Sequence, residues 1–251
     1  LLGFETMEND FMDSIEKAMK IIHTIHSPFL HLYPDAGNLS NAMRLYDKDI
    51  REPLFDFLEE AYGKLRIIEE KQVGKSRADI VMVLPGLLTG IEIKSDADSY
   101  VRLSRQVKDY DRFFDRNMVV AGSSHAAHVR EHVPGWWGII TVEQNDREID
   151  FYVLRQPQEN PMMNWKRKLS LLWRPELAHI QELTAMPRYK EKSKAFVIEK
   201  ILAKVPGEQL SVLVSEELFE RDYTRIEEVI RAYKIQNRPE RKGRTGKRRR
   251  P

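Results

Sequence analysis

The sequence predicts an α/β fold, in which a central mixed β-sheet is flanked by helices and extended by an N-terminal helix and a C-terminal helical region. Three observations predict it. Helical and strand periodicities alternate between residues 48 and 156, two apolar, β-branched runs at 78–84 and 89–94 flank a Pro85-Gly86 turn, and beyond Gln156-Pro157 only helical patterning remains. A chain of 251 residues with 41% hydrophobic content can bury one sizeable core. The expected organisation is an N-terminal helical extension at 1–47, an α/β core at 48–156, a C-terminal helical region at 157–237 and a basic tail at 238–251.

The elements follow in order. Residues 10–26 read as an amphipathic helix, with Phe11, Ile15, Ala18, Ile22 and Ile25 on one side. Residues 27–41 are turn-rich. A second helix is expected at 49–62, with Pro53 tolerated in its first turn, and a strand at 65–73. The hairpin 77–94 comes next. Side chains alternate faces along a strand, so Glu92 and Lys94 share one face while Ile91 and Ile93 point into the opposite layer. A symmetric turn sets Asp79 near Lys94 across the pair. Ser95-Asp96-Ala97-Asp98 starts a helix over 99–115, with Leu103, Val107, Tyr110 and Phe114 as its apolar stripe. A buried strand at 117–121, a helix at 123–132 and a hairpin of 138–142 with 149–154 complete the core. Helices are then expected at 165–173, 175–183, 193–204, 208–220 and 223–235. Pro206-Gly207 suits the turn of a helix-turn-helix, although plain helix packing accounts for it as well. As a DNA reader this pair selects the substrate; otherwise the C-terminal helices offer a surface for a protein partner or for a second copy in a homodimer.

The hairpin carries the chemistry. Asp79 and Glu92 bring two carboxylates, and Lys94 a lysine, into a small volume. Hard oxygen ligands of this kind suit Mg²⁺ or Mn²⁺, which keep several waters and complete their shell with substrate phosphate. Such an ion lowers the pKa of a bound water, and an ammonium beside it stabilises charge that develops on a phosphate under attack. The residue types therefore point to metal-assisted cleavage of phosphodiesters.

Asp79, Glu92-Ile93-Lys94 and the following Gln106-Val107-Lys108-Asp109-Tyr110 resemble the PD-(D/E)xK phosphodiesterases, the superfamily of restriction endonucleases, junction resolvases and many repair and phage nucleases. The last stretch reads QxxxY, a pattern of its RecB-like branches. The resemblance covers residues 48–156 and departs at Ala78, where the motif has proline. It implies a restriction-endonuclease-like core, a Mg²⁺-dependent deoxyribonuclease activity that leaves a 5′-phosphate and a 3′-hydroxyl, and Asp79 and Glu92 as metal ligands. Lys94 then positions the water, Gln106 holds water or phosphate near the metal, and Tyr110 supports it. Glu52 is the first choice for an additional upstream acid, with Asp49 and Glu70 as alternatives. A catalytically silent nucleic-acid-binding or protein-interaction module on the same fold is the alternative function.

Charge is unevenly placed. The tail 238–251 holds eight Lys/Arg and one acid, and the rest of the chain has 33 basic against 38 acidic residues, a formal net of −5. Binding to nucleic acid, with DNA as the expected partner, must therefore use local patches. The tail is one, and Arg102, Arg105, Lys108 and Arg112 on the 99–115 helix are the other. The absence of cysteine excludes disulfides and thiolate zinc sites. No apolar run approaches the length that spans a bilayer, and the acidic N-terminal stretch lacks the basic flank of a signal peptide, so a cytoplasmic protein without membrane contact is expected. His128 to His132 fits HxxEH, a zinc-peptidase pattern, with His125 nearby. Only about three helical turns precede Pro134-Gly135, and a solvated helix is the better reading.

Overall fold

In the computed structural model, which describes residues 44–145 and 148–221, six strands form one sheet. They are β1 (Arg66–Val73), β2 (Ser76–Leu84), β3 (Leu87–Lys94), β4 (Arg116–Gly122), β5 (Gly138–Asn145) and β6 (Glu148–Arg155), and they lie side by side in chain order. β1, β2 and β3 meander antiparallel, β4 and β5 run parallel to β3, and β6 returns antiparallel. The mixed α/β class expected from the sequence is the one observed.

Alternation along the strands sends the two sets of side chains into separate cores. On one face, α1 (Asp47–Tyr62) presents Ile50, Leu54 and Leu58 to Ile80, Met82, Ile91 and Ile93. The other face, with Val81, Val83, Leu88 and Val119, is covered by α2 (Leu103–Tyr110) and by the C-terminal helices α5 (Trp165–Leu169), α6 (Arg174–Leu183), α7 (Lys194–Lys204) and α8 (Gly207–Phe219). Between β4 and β5 stand two short helices, α3 (Ser123–Ala126) and α4 (Val129–His132).

Several boundaries differ from the sequence reading, each for a local reason. α1 begins two residues early because the Asp49 carboxylate accepts the Tyr46 backbone N–H at 3.0 Å and so caps the first turn. Pro53 therefore lies in the second turn, where it removes one helical hydrogen bond. The helix after β3 opens as a 3₁₀ turn (Tyr100–Arg102) and ends at Tyr110. Asp111, next in the chain, is buried and accepts the indole N–H groups of Trp136 and Trp137, an anchor that turns the backbone towards β4. Residues 123–132 do not form one helix but the pair α3 and α4. α8 lays Leu210, Leu213, Val214 and Leu218 into the core, and its Ser215 hydroxyl accepts the Gly86 N–H at 2.7 Å. That face of the α7–α8 pair is thus spent on packing. Among the described residues no helix is long and apolar enough to cross a membrane. The helices expected at 10–26 and 223–235, and the basic tail, lie outside the described residues.

Candidate active site

Asp79 is where the sheet comes apart. β1 and β2 pair at Glu69↔Ile80 and again at Lys71↔Ala78, and the intervening Glu70/Asp79 pair is missing. The β2–β3 ladder ends at Ile80↔Ile91. The backbone of Asp79 is satisfied elsewhere: its N–H donates to the Tyr110 hydroxyl at 3.1 Å, and its carbonyl accepts from Arg51 Nη1 at 3.4 Å. Opposite it, Glu70 adopts φ +55°, a left-handed conformation that a glutamate rarely takes.

Tight turning at Pro85-Gly86 sets the register. Gly86 has φ +71°, and β3 begins at Leu87 directly after a two-residue turn, two residues before the expected start. Continuing that register, Asp79 stands across from Glu92 and not Lys94. Its Oδ2 accepts the Ile93 N–H at 2.9 Å. The two acids consequently face the same side of the sheet, as do Glu92 and Lys94.

Around Glu92 the protein closes a polar cluster. Glu92 is 1% and Lys94 2% exposed, and the Lys94 ammonium donates to Glu92 Oε1 at 2.5 Å and to Gln106 Oε1 at 3.2 Å. The Gln106 amide donates to the same Glu92 oxygen, and the Tyr110 hydroxyl donates to Glu92 Oε2 at 2.6 Å. Gln106 and Tyr110, four apart on α2, reach the cluster from one helical face. Tyr110 joins both acids, since its oxygen accepts the Asp79 N–H while its proton goes to Glu92. Gly90 makes room for it: a Cβ there would run into the rings of Phe114 and Tyr110. A glycine within an apolar strand is a sequence signal of such close approach, and the sequence reading passed over it.

Electrostatics follow from this packing. Burial and the adjacent Glu92 charge push the Asp79 carboxyl up to about 7, against the pull of the Ile93 N–H, Lys94 and Arg51. Burial and the same two carboxylates raise the Tyr110 hydroxyl well above its ordinary range. Asp79 is the partly exposed member, with 19% of its side chain open to solvent, so the cluster meets the outside there.

The expected upstream acid is not the residue that α1 brings. Glu52 is exposed, and among the described residues no hydrogen bond or ion pair joins it to the cluster. Asp49 caps α1. Arg51 reaches Asp79 instead, with Nη2 3.9 Å from Oδ1, while its other contacts go to Asp47, Glu69 and Glu70. Arg102, Arg105, Lys108 and Arg112 are all exposed, and none of their side chains has an ion pair or hydrogen bond among the described residues. Arg112 lies past the end of α2, so the row is helical only as far as Lys108. The HxxEH pattern does not assemble: His128 precedes α4 as its N-cap, and His132 stacks on Tyr100 with ring centroids 4.0 Å apart.

Does the donor set fit a hard divalent ion? Among the described residues no group of three or more His, Asp or Glu side chains is placed to hold one. Two carboxylates are enough for Mg²⁺ or Mn²⁺, which retain waters. Glu92 Oε1 takes two protein donors and Oε2 one, which leaves an Oε2 lone pair for a cation. The residues fit.

Fold and site define a mixed α/β protein with a buried carboxylate, lysine and amide cluster at the split end of a β-hairpin. The chain belongs to the bacteriophage P4 protein cII family, whose model matches residues 40–238. Protein cII of Enterobacteria phage P4 is 28% identical over 101 residues, which is 40% of this chain and 38% of that protein, so the match spans well under half of the relative's length. Among solved structures, the SPO1766 protein of unknown function from Silicibacter pomeroyi is 22% identical, with 45% of this chain and 72% of that one covered and a TM-score of 0.33. Pyrococcus furiosus SfsA in complex with Ca²⁺ is 17% identical, with 44% and 60% covered and a TM-score of 0.27. Scores this low leave the functional reading to the site itself.

Proposed function

We propose that this protein is a metal-dependent nuclease that hydrolyses phosphodiester bonds in DNA, with the site arranged on the PD-(D/E)xK plan. The observation that carries the reading is the break of both ladders at Asp79, which sets that carboxylate across from Glu92 with Lys94, Gln106 and Tyr110 gathered behind. Mg²⁺ or Mn²⁺ held by Asp79 and Glu92 would supply Lewis acidity and a water of lowered pKa. Lys94 keeps its ammonium beside Glu92, where it stabilises charge that develops on a phosphate oxygen. Gln106 fixes the rotamers of Glu92 and Lys94 by bonding to both. Tyr110 locks Glu92 to the Asp79 backbone. The unpaired Arg102, Arg105, Lys108 and Arg112 are assigned to the DNA backbone, since unpaired guanidinium and ammonium groups are free to displace counterions from phosphates.

One observation favours a silent binding module on the same fold. Apart from Asp79 the cluster is buried, and two of the three Lys94 N–H groups and one of the two Gln106 amide N–H groups are already taken by protein acceptors. Cleavage of linear, circular and branched DNA, with RNA as a control, in Mg²⁺, Mn²⁺ and EDTA separates the two. Metal-dependent cutting that is lost in Lys94→Ala and Asp79→Ala is the expected result. DNA binding without cutting on any substrate would establish the silent module, and cutting that survives both substitutions would remove this site from the chemistry.

A further inference from the structure

Arg51 stands beside Asp79, the most exposed member of the cluster, and its hydrogen bonds are arranged in an unusual way. Nε donates to Asp47 at 2.6 Å, Nη1 to Glu69 at 3.1 Å and Nη2 to Glu70 at 2.7 Å. These three carboxylates lie outside the cluster and hold the guanidinium in place. Towards Asp79 it makes one long bond to the backbone carbonyl, at 3.4 Å, and approaches the carboxylate only to 3.9 Å, beyond hydrogen-bond distance. A side chain built to grip a substrate phosphate keeps most of its donors free, and here four of the five N–H groups are taken by protein acceptors. A side chain built to lock Asp79 bonds to its carboxylate, and this one does not. What Arg51 supplies to Asp79 is charge at short range, with the cation anchored by other acids. Glu70 accepts a left-handed backbone at φ +55° in the position that anchors it, and Arg77 braces the far oxygen of Glu70.

We propose that Arg51 is a positioning residue and a resident counter-cation: shared with three other carboxylates, it offsets only part of the charge of the two-carboxylate site before a divalent ion arrives, and its charge then limits how tightly that ion is held. The inference rests on the metal reading of Asp79 and Glu92. When the ion is present, Arg51 keeps Asp47, Glu69 and Glu70, so the loose approach to Asp79 can lengthen without leaving the guanidinium unpaired. The ion and Arg51 therefore work against each other at one carboxylate, and removing the positive charge strengthens the hold on the other cation.

Titration of the full chain with Mn²⁺ alone, at fixed pH and without nucleic acid, tests this in the wild type, Arg51→Gln and Arg51→Lys, alongside thermal unfolding with and without Mn²⁺. Arg51→Gln is expected to bind Mn²⁺ roughly tenfold more tightly, as expected for losing one repelling charge at a solvent-facing edge. Its metal-free form should melt below the wild type, with the deficit shrinking on addition of Mn²⁺. Arg51→Lys, which keeps the charge, should stay near wild-type affinity. Unchanged or weaker Mn²⁺ affinity in a folded Arg51→Gln, or a melting deficit equal with and without Mn²⁺, would overturn the counter-cation role. Should Arg51→Gln fail to fold, Glu70→Gly takes its place, because glycine suits φ +55°. Loss of that anchor lets Arg51 move onto Asp79 and should weaken Mn²⁺ binding; unchanged affinity overturns the proposal. Binding in Arg51→Gln but not in the wild type would uphold Arg51 and overturn the metal reading of the native site, whereas no binding in any variant overturns both.

Discussion

Two buried lysines among the described residues meet carboxylates, and the difference between them separates packing from chemistry. Lys168 on α5, 0% exposed, donates to both oxygens of Asp115 at 2.7 Å, and Asp115 also accepts the Leu88 N–H. One ammonium meets one carboxylate. Lys94 is as deeply buried, yet it shares its region with two carboxylates, and the second, Asp79, meets only the loose approach of Arg51; burial and the Glu92 charge push its carboxyl up to about 7. Burial does not distinguish the two pairs; charge balance does. A balanced pair ties α5 to the connection between β3 and β4, whereas the incompletely balanced one is the site to which the proposed function assigns a further cation.

Breaking each pair should therefore give different results. The largest effect is expected from Lys168→Met, which strands the Asp115 carboxylate; loss of one partner of a buried pair costs about 3–5 kcal/mol. Urea denaturation should show that loss, while cleavage per folded molecule stays at the wild-type level. Lys94→Ala should lower the cleavage rate by roughly 100-fold to 1000-fold, the scale of removing one charge-stabilising donor, as read from single-turnover kinetics.

The pH dependence of the metal-free protein sharpens the contrast. The folded carboxyl of Asp79 lies at about 7, above its unfolded value of 3.8, so the folded state binds the extra proton between these limits. Its contribution to stability is complete below the unfolded value and is lost as pH rises through about 7, a change of the order of a few kcal/mol. Asp79→Asn should abolish that slope, and saturating Mn²⁺ should flatten it in the wild type. Denaturation midpoints collected from pH 4 to 8 provide the check.

Smaller effects are expected further out. Gly90→Ala forces Phe114 and Tyr110 to shift, and overpacking of this kind costs about 1–3 kcal/mol; a loss of cleavage beyond the loss of stability would register the displacement of the Tyr110 hydroxyl. Arg105→Ala and Lys108→Ala should each weaken DNA binding a few-fold and reduce the salt slope by about one per contact. Equilibrium binding measured across a salt series would reveal a slope that stays unchanged if these side chains do not touch phosphates.

Much of this site was legible in the sequence because strand and helix periods are local. Alternation put Glu92 and Lys94 on one face, and the spacing of four put Gln106 and Tyr110 on another that meets it. The partner of Asp79 differs from the expected one by two residues of register, Glu92 instead of Lys94, because a two-residue turn starts β3 at Leu87 and the apolar pattern alone does not say where a strand begins. Arg51 and Glu52 are neighbours, and which one reaches Asp79 depends on how Ile50, Leu54 and Leu58 seat α1 against the sheet. That choice belongs to tertiary packing. The left-handed Glu70 carries no glycine or asparagine to announce it, and the break between α3 and α4 has no proline or glycine at residues 127–128. Gly90 was the one legible signal left unused.

Counting bound Mn²⁺ tests most directly whether the incompletely balanced carboxylates at the split hairpin make a cation site. Wild type, Asp79→Asn and Glu92→Gln should be titrated at pH 8, where Asp79 is ionised, with Lys168→Met as the control for a balanced pair. One ion per chain in the wild type and in Lys168→Met, and none in either carboxylate variant, is the predicted result. Equal binding in all four proteins, or none in the wild type, would contradict it.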